Sequence, residues 1–192
     1  MITRLRKASK GVLRPIARAV ISLGLTANSV TAIGLVLSIA YLVLAYVGTS
    51  PLILAMLMAL SSLMDAVDGE VARIRGTAGP RGAFLDSTLD RVEDTAFILG
   101  LIPLGYNSLV VGLLLGLSII IPYIRARGEA VGLKVEGRGL IERGERLIGL
   151  FLIVVFTAHW RPLAELLLYL LTALSALTVI QRFWFVYVRL PK

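Results

Sequence analysis

The chain has 192 residues, 57% of them hydrophobic, and a mean hydropathy of +0.86; this excludes an ordinary soluble domain and a disordered chain and points to a membrane protein. Twenty Lys and Arg against twelve Asp and Glu give a formal charge of +8, an excess that suits one membrane face meeting anionic headgroups and phosphate-bearing solutes without invoking nucleic acid. There is no cysteine, which excludes disulfides and thiolate metal sites.

Residues 1–24 carry Arg4, Arg6, Lys7, Lys10, Arg14 and Arg18 among Leu, Ile, Val and Ala at helical intervals. That pattern predicts an amphipathic juxtamembrane helix lying in the interface, and the lack of a long apolar centre argues against a cleavable signal peptide. Six runs of bilayer-crossing length, roughly 17 to 25 residues, follow at 28–48, 51–72, 83–104, 107–127, 141–158 and 162–186. At the start of the first run, Asn28 and Thr31 suit helix capping as well as ligand contact. Gly34 in that run, with Gly112 and Gly116 in the fourth, offers small-residue spacing for close helix approach. The turns near Thr49, Gly105 and His159 contain only Arg161, whereas the N-terminus, 73–81, 125–146 and the C-terminus hold nearly all the other basic residues. This bias predicts cytoplasmic termini. His159, Trp160 and Arg161 read as an interfacial anchor, and Phe183, Trp184, Phe185 and Tyr187 as a lipid-facing belt. The expected fold class is an all-α integral membrane protein: a single domain over 1–192, with the 1–24 helix ahead of a six-helix bundle over 28–188.

Four acids interrupt this apolar pattern. Asp65 and Asp68 share a face of the second span, and Gly82, Asp86 and Asp90 recur every four residues on the third. The turn between them contains Gly76, Gly79 and Pro80, so the two helices are expected to be antiparallel neighbours with converging carboxylates. At ~1.5 Å per residue, Asp65 lies on the order of 15 Å from Arg75, below the headgroup level. Intramembrane acids at about 3 kcal/mol apiece need compensation: either some keep their protons, or hard cations bind their oxygens. Four carboxylates on two helices suit a pair of Mg²⁺ or Mn²⁺ ions, and such a pair suits phosphoryl transfer. The bland alternative is a helix-pairing or ion-pathway role. Glu93 and Asp94, one turn past Asp90, either tune such a site or simply pair with Arg91 or another basic group.

The string Asp65-x2-Asp68-Gly69-x2-Ala72-Arg73-x8-Gly82-x3-Asp86-x3-Asp90 resembles the complete signature of the CDP-alcohol phosphotransferases, with eight fixed positions across 26 residues. "TANSVTAIGLVLSIA", residues 26–40, is similar to the opening of that family's first membrane helix. The resemblance implies a metal-dependent enzyme that moves a phosphatidyl-type group from a CDP-linked lipid to an alcohol and releases CMP. It implies two Mg²⁺ or Mn²⁺ ions held by Asp65, Asp68, Asp86 and Asp90, with Asp90 also the catalytic base. Asn28, Ser29, Val30, Thr31, Gly69, Ala72, Arg73 and Gly82 would bind the CDP-lipid, and a homodimer is suggested. Gly79 stands where the family often has a hydroxyl residue.

"YIRARGEAVGLKVEGRGLIERGERLIGL", residues 123–150, together with Gln181 and Arg182, resembles the phosphatidylinositol-phosphate synthase branch and its archaeal relatives, with Arg125 replacing the more usual lysine. That resemblance makes inositol phosphate the expected acceptor and Arg125, Arg143, Arg146 and Arg182 its phosphate ligands, although for each arginine membrane orientation alone is the competing reading. Glycerol phosphate, or inositol phosphate with a CDP-inositol donor, are the enzymatic alternatives. A carboxylate-lined cation carrier is the non-enzymatic one. The lipid tails, diacylglycerol or archaeol, leave no mark on interchangeable Leu, Ile and Val surfaces.

Overall fold

The computed structural model describes residues 2–190, with side chains from Gly11 onward except Val12; Arg4, Arg6, Lys7 and Lys10 therefore have side chains outside the described residues. Seven helices and no strand occur among those residues: α1 (Ile2–Ser22), α2 (Ala27–Tyr46), α3 (Pro51–Arg75), α4 (Pro80–Leu99), α5 (Ser108–Ala130), α6 (Arg143–His159) and α7 (Arg161–Tyr187). Punctuation in the sequence accounts for the boundaries. Thr26, not Asn28 or Thr31, caps α2 by accepting from the Ser29 amide. Pro51 and Pro80 open α3 and α4, where a missing N–H costs nothing. Gly76, at φ 65°, ends α3 in the left-handed conformation that glycine adopts without strain.

Helices α2 to α7 pack as a closed ring in the order α3, α2, α4, α5, α7, α6 and back to α3, with α1 outside against α3. The expectation of α3 and α4 as packed neighbours is corrected here. Only the four residues Gly76–Gly79 separate them along the chain, but α2 lies between them in the ring, and their acids meet through side chains at Gly34 and Arg143. The third predicted run, 83–104, also shifts: α4 stops at Leu99, because Gly100 and Pro103 give way to a turn that ends at Gly105 with φ 86°.

Four helices, α2, α3, α5 and α7, are long and apolar enough to cross a membrane. The other two ring helices fall short for chemical reasons, since α4 carries Asp86, Asp90, Arg91, Glu93 and Asp94 within 20 residues and α6 is only 17 residues long.

A dry core occupies the ring, built on Tyr41, Leu54, Met58, Phe97, Ile98, Leu101, Leu114, Leu150 and Ile153. Tyr41 meets Phe97 edge-on at 5.4 Å and donates to the Phe97 carbonyl at 3.2 Å. Beside it the α4 backbone needs a glycine, because a Cβ on Gly100 would lie 3.0 Å from the Tyr41 hydroxyl and closer still to its ring. At that end of the bundle Arg161 donates to the carbonyls of Leu104 and Gly105 and stacks over Tyr106 at 3.9 Å, which clamps the α4–α5 turn. Phe183, Trp184 and Tyr187 point outward as an exposed aromatic group. Gly34 does allow close approach, its carbonyl accepting from Ser61 at 2.8 Å, whereas among the described residues nothing lies within 4 Å of where a Cβ on Gly112 or Gly116 would stand.

Gly100→Ala is expected to destabilise the protein by about 1–3 kcal/mol through overpacking against Tyr41, read as a lower melting temperature in detergent. Gly144→Ala, at an exposed α6 position with open space around it, should be neutral or stabilising by up to ~1 kcal/mol. Equal effects of the two would contradict this packing.

Candidate active site

Asp65 and Asp68 stand on adjoining turns of α3 near its charged end. Asp68 is buried and paired with α2, where Thr31 Oγ1 stands within donating distance of Asp68 Oδ2 at 2.5 Å and of the Ala27 carbonyl at 3.0 Å. On α4, Asp86, Asp90 and the pair Glu93 and Asp94 follow at successive turns. Asp86 is exposed, within electrostatic reach of Asp65 and Asp68; Glu93 and Asp94 are buried. The Asp65 and Glu93 carboxylates press toward α2 where it lacks a side chain: a Cβ on Gly34 would lie 3.2 Å from Glu93 Oε1 and 3.5 Å from Asp65 Oδ1.

The cationic side comes from α6. Glu142 and Glu145 form a reciprocal capping box that fixes the start of this helix, so Arg143 and Arg146, three residues apart, share the face toward α4. Arg143 Nε donates to Asp94 Oδ1 at 3.0 Å, and Nη2 reaches Glu93 Oε2 at 3.5 Å. Its guanidinium also lies 2.8 Å from Asp65 Oδ2 and 2.7 Å from Asp90 Oδ1. The Asp65 approach is charge contact without hydrogen-bond alignment, which leaves a buried carboxylate oxygen without a donor. Arg146 Nη2 donates to Asp94 Oδ2 at 2.9 Å, while its Nη1 is buried without a partner. Glu93 and Asp94 thus bind α6 arginines, while Arg91 reaches back to Asp90 at 3.1 Å.

The other two arginines from the second half sit differently. Arg182 is buried and donates to the carbonyls of Arg138 and Ile121, with Glu142 at 3.6 Å, so it laces the 131–142 connection to α5 and α7. Arg125 is half-exposed and paired with Glu129 on its own helix.

Around the glycines the site is open. Among the described residues nothing lies within 4 Å of where a Cβ on Gly82 would stand, and residues Pro80 to Thr88 of α4 are all exposed. Gly69 gives room to the Arg73 guanidinium, whose Nη1 would be 3.4 Å from a Cβ there. Ala72 is half-buried beside it. Asn28 is exposed at the head of α2 and Ser29 half-buried, but Val30 is fully buried in an apolar cluster with Ala17, Val67 and Val71.

The donor set suits a hard divalent cation in kind and charge. Among the described residues Asp65, Asp90, Glu93 and Asp94 pair with Arg91, Arg143 and Arg146 while Asp68 and Asp86 have no arginine partner, so full ionisation of the six would leave three more negative than positive charges, all on oxygen donors. Asp65 Oδ2 and Glu93 Oε1 have no hydrogen-bond donor among the described residues. As the side chains stand, no three acidic, imidazole or thiolate groups among the described residues converge on one ion, because Arg143 reaches into the space between Asp65 and Asp90.

A profile for CDP-alcohol phosphatidyltransferases matches residues 24–184. The chain belongs to this family. It is 44% identical over 138 residues to the archaetidylinositol phosphate synthase of Aeropyrum pernix, covering 72% of this chain and 71% of the relative. Among solved structures, Mycobacterium tuberculosis phosphatidylinositol phosphate synthase with CDP-DAG bound aligns with a TM-score of 0.81 and 34% identity, over 92% of this chain and 94% of that one. The same enzyme in complex with manganese and citrate aligns at 0.80 and 33%, over 91% and 88%. This is therefore a membrane transferase of a metal-dependent family.

The sequence left Glu93 and Asp94, one turn past Asp90, either to tune the site or to pair with Arg91 or another basic group; their partners are Arg143 and Arg146, which the spacing alone does not name. Because Arg143 and a divalent cation contend for the same Asp65 and Asp90 oxygens, Arg143→Gln is expected to tighten Mn²⁺ binding in calorimetry. The gain should be roughly five-fold, the value of an ion pair of ~1 kcal/mol; unchanged or weaker binding would contradict the competition.

Proposed function

We propose that the protein transfers a phosphatidyl-type group from a CDP-linked lipid, of diacylglycerol or archaeol type, to a hydroxyl of inositol phosphate, with release of CMP. The observation that carries this reading is the meeting of the signature aspartates of α3 and α4 with arginines of α6 at one opening, beside the unfilled space at Gly82.

In this reading Asp65, Asp68, Asp86 and Asp90 hold two Mg²⁺ or Mn²⁺ ions, which when bound would neutralise the diphosphate and favour departure of CMP. Thr31 fixes the Asp68 carboxylate. Asp90 takes the proton of the acceptor hydroxyl, and its contacts with Arg91 and Arg143 hold it at the mouth of the site. Gly69, Ala72 and Gly82 admit the nucleotide against bare backbone, Arg73 meets a diphosphate oxygen, and Asn28 and Ser29 border the same pocket. Val30 and Thr31 act there through packing and through Asp68.

Arg143 and Arg146 are the acceptor-phosphate ligands that this reading favours, since both stand beside the acids and Arg146 retains an unpaired N–H group. Arg125 is the peripheral candidate, and Arg182 supports the pocket by holding the 131–142 segment. A dianionic acceptor matches this charge better than a neutral alcohol does.

We further place all of α2 to α7 across the cell membrane as one multi-pass domain. Arg143, Arg146 and the acids meet internally in α4 and α6, α1 lies in the cytoplasmic interface, and both termini and the site face the cytoplasm. The outward small-residue face of α5 at Gly112 and Gly116 suits a homodimer contact.

The direct test is CMP release from a CDP-lipid by purified protein with Mg²⁺ or Mn²⁺, with inositol phosphate or glycerol phosphate as acceptor. Turnover should require inositol phosphate and stop on chelation with EDTA; turnover with glycerol phosphate alone would overturn the acceptor. Asp90→Asn should lower turnover by about 10² to 10⁴ with the melting temperature preserved, and full activity would overturn the base assignment.

A further inference from the structure

Outside the carboxylate cluster, a cavity of about 320 Å³ lies between α1 and the end of α3, lined by Arg14, Arg18, Glu70, Arg73 and Ile74. Glu70 is almost fully buried in an otherwise basic wall. Its Oε2 accepts from Arg73 Nε at 2.9 Å, with Nη2 at 2.8 Å, and its Oε1 accepts from Arg14 Nε at 3.1 Å. Both arginines remain more than half exposed, at 56% and 59%. One buried carboxylate therefore holds two guanidinium groups, both of which line the cavity. Three arginines against one glutamate give this wall a net charge of +2, which calls for an anion.

Two features tie the cavity to the reaction site. The Arg73 guanidinium lies over Gly69, next in sequence to Asp68, so the wall continues toward the acids. Helix α1 is held at this level by an apolar cluster in which Ala17 packs with Val30, Val67 and Val71, which places Arg14 and Arg18 against α3 rather than away from it.

We infer that α1 supplies Arg14 and Arg18 to a phosphate-binding site shared with Arg73, and that Glu70 is its positioning residue. The ligand is a phosphate group at the membrane surface: either the diphosphate of the nucleotide-linked lipid or the headgroup phosphate of a neighbouring anionic lipid. This inference rests on the proposed use of a CDP-lipid. A bidentate guanidinium grip depends on orientation as well as charge, and Glu70 supplies the orientation.

The test measures CDP binding by calorimetry in lipid-free detergent with Mn²⁺, for wild type, Arg14→Gln, Arg18→Gln and Glu70→Gln. A second arm measures CMP release in phosphatidylcholine vesicles with and without phosphatidylglycerol. If the ligand is the diphosphate, Arg14→Gln and Glu70→Gln weaken CDP binding by roughly tenfold. If it is a lipid headgroup, CDP binding holds and the variants lose the dependence of rate on phosphatidylglycerol. The Glu70 variant separates positioning from bulk charge, because removing a negative charge alone would tighten anion binding. Should Glu70→Gln fail to melt cooperatively, the exposed Arg14 and Arg18 positions carry the test. Variants matching wild type in both arms, or tighter CDP binding by Glu70→Gln, would overturn the inference; failure of wild type itself to bind CDP would overturn the proposed function.

Discussion

A carboxylate shut inside an apolar helix bundle needs positive charge within a few ångströms, and stripping a buried pair of one partner costs about 3–5 kcal/mol. The structure answers this demand by bringing Arg143 and Arg146 from α6 to acids about fifty residues earlier in the chain. The answer is incomplete, because six acids share three arginines and oxygens of Asp65 and Glu93 are left without hydrogen-bond donors. Full ionisation of these acids would leave negative charge unbalanced, which suits a hard divalent cation. The same acids explain why α4 does not read as a membrane span, whereas α6 falls short by its length of 17 residues.

Ring order turns this electrostatic demand into a usable cleft. α2 packs between α3 and α4, Arg143 of α6 touches acids of both helices, and the first turns of α4 are open at Gly82. Glycines serve this plan at specific points: Gly76 reverses the chain, and Gly34 leaves room for two carboxylates. The dry core around Tyr41 and Phe97, together with the Arg161 clamp on the α4–α5 turn, braces the bundle away from the acids.

The acids were legible from the sequence because charges in an apolar run are conspicuous and helical spacing sets their faces. The resemblance supplied the family and the arginines. Hydropathy found the helices but overran α4, because Leu101, Ile102 and Leu104 read as membrane residues although Pro103 and the flanking glycines break the helix there. The separation of α3 from α4 by α2 was not legible, since a four-residue turn says nothing about which helices pack side by side. Nor was the change of role for Thr31, which spacing offers as a cap and packing turns toward Asp68. The Glu70 link to Arg14 spans 56 residues and only a folded chain brings it together.

The account stands on divalent cations entering between the acids of α3 and α4 with Arg143 giving way. Anomalous diffraction from crystals soaked in Mn²⁺ tests this most directly. The account predicts manganese peaks within ligand distance of Asp65, Asp68, Asp86 and Asp90, with the Arg143 guanidinium moved off Asp65 and Asp90. Crystals showing no manganese among these carboxylates, or manganese bound with Arg143 still against both of them, would contradict it.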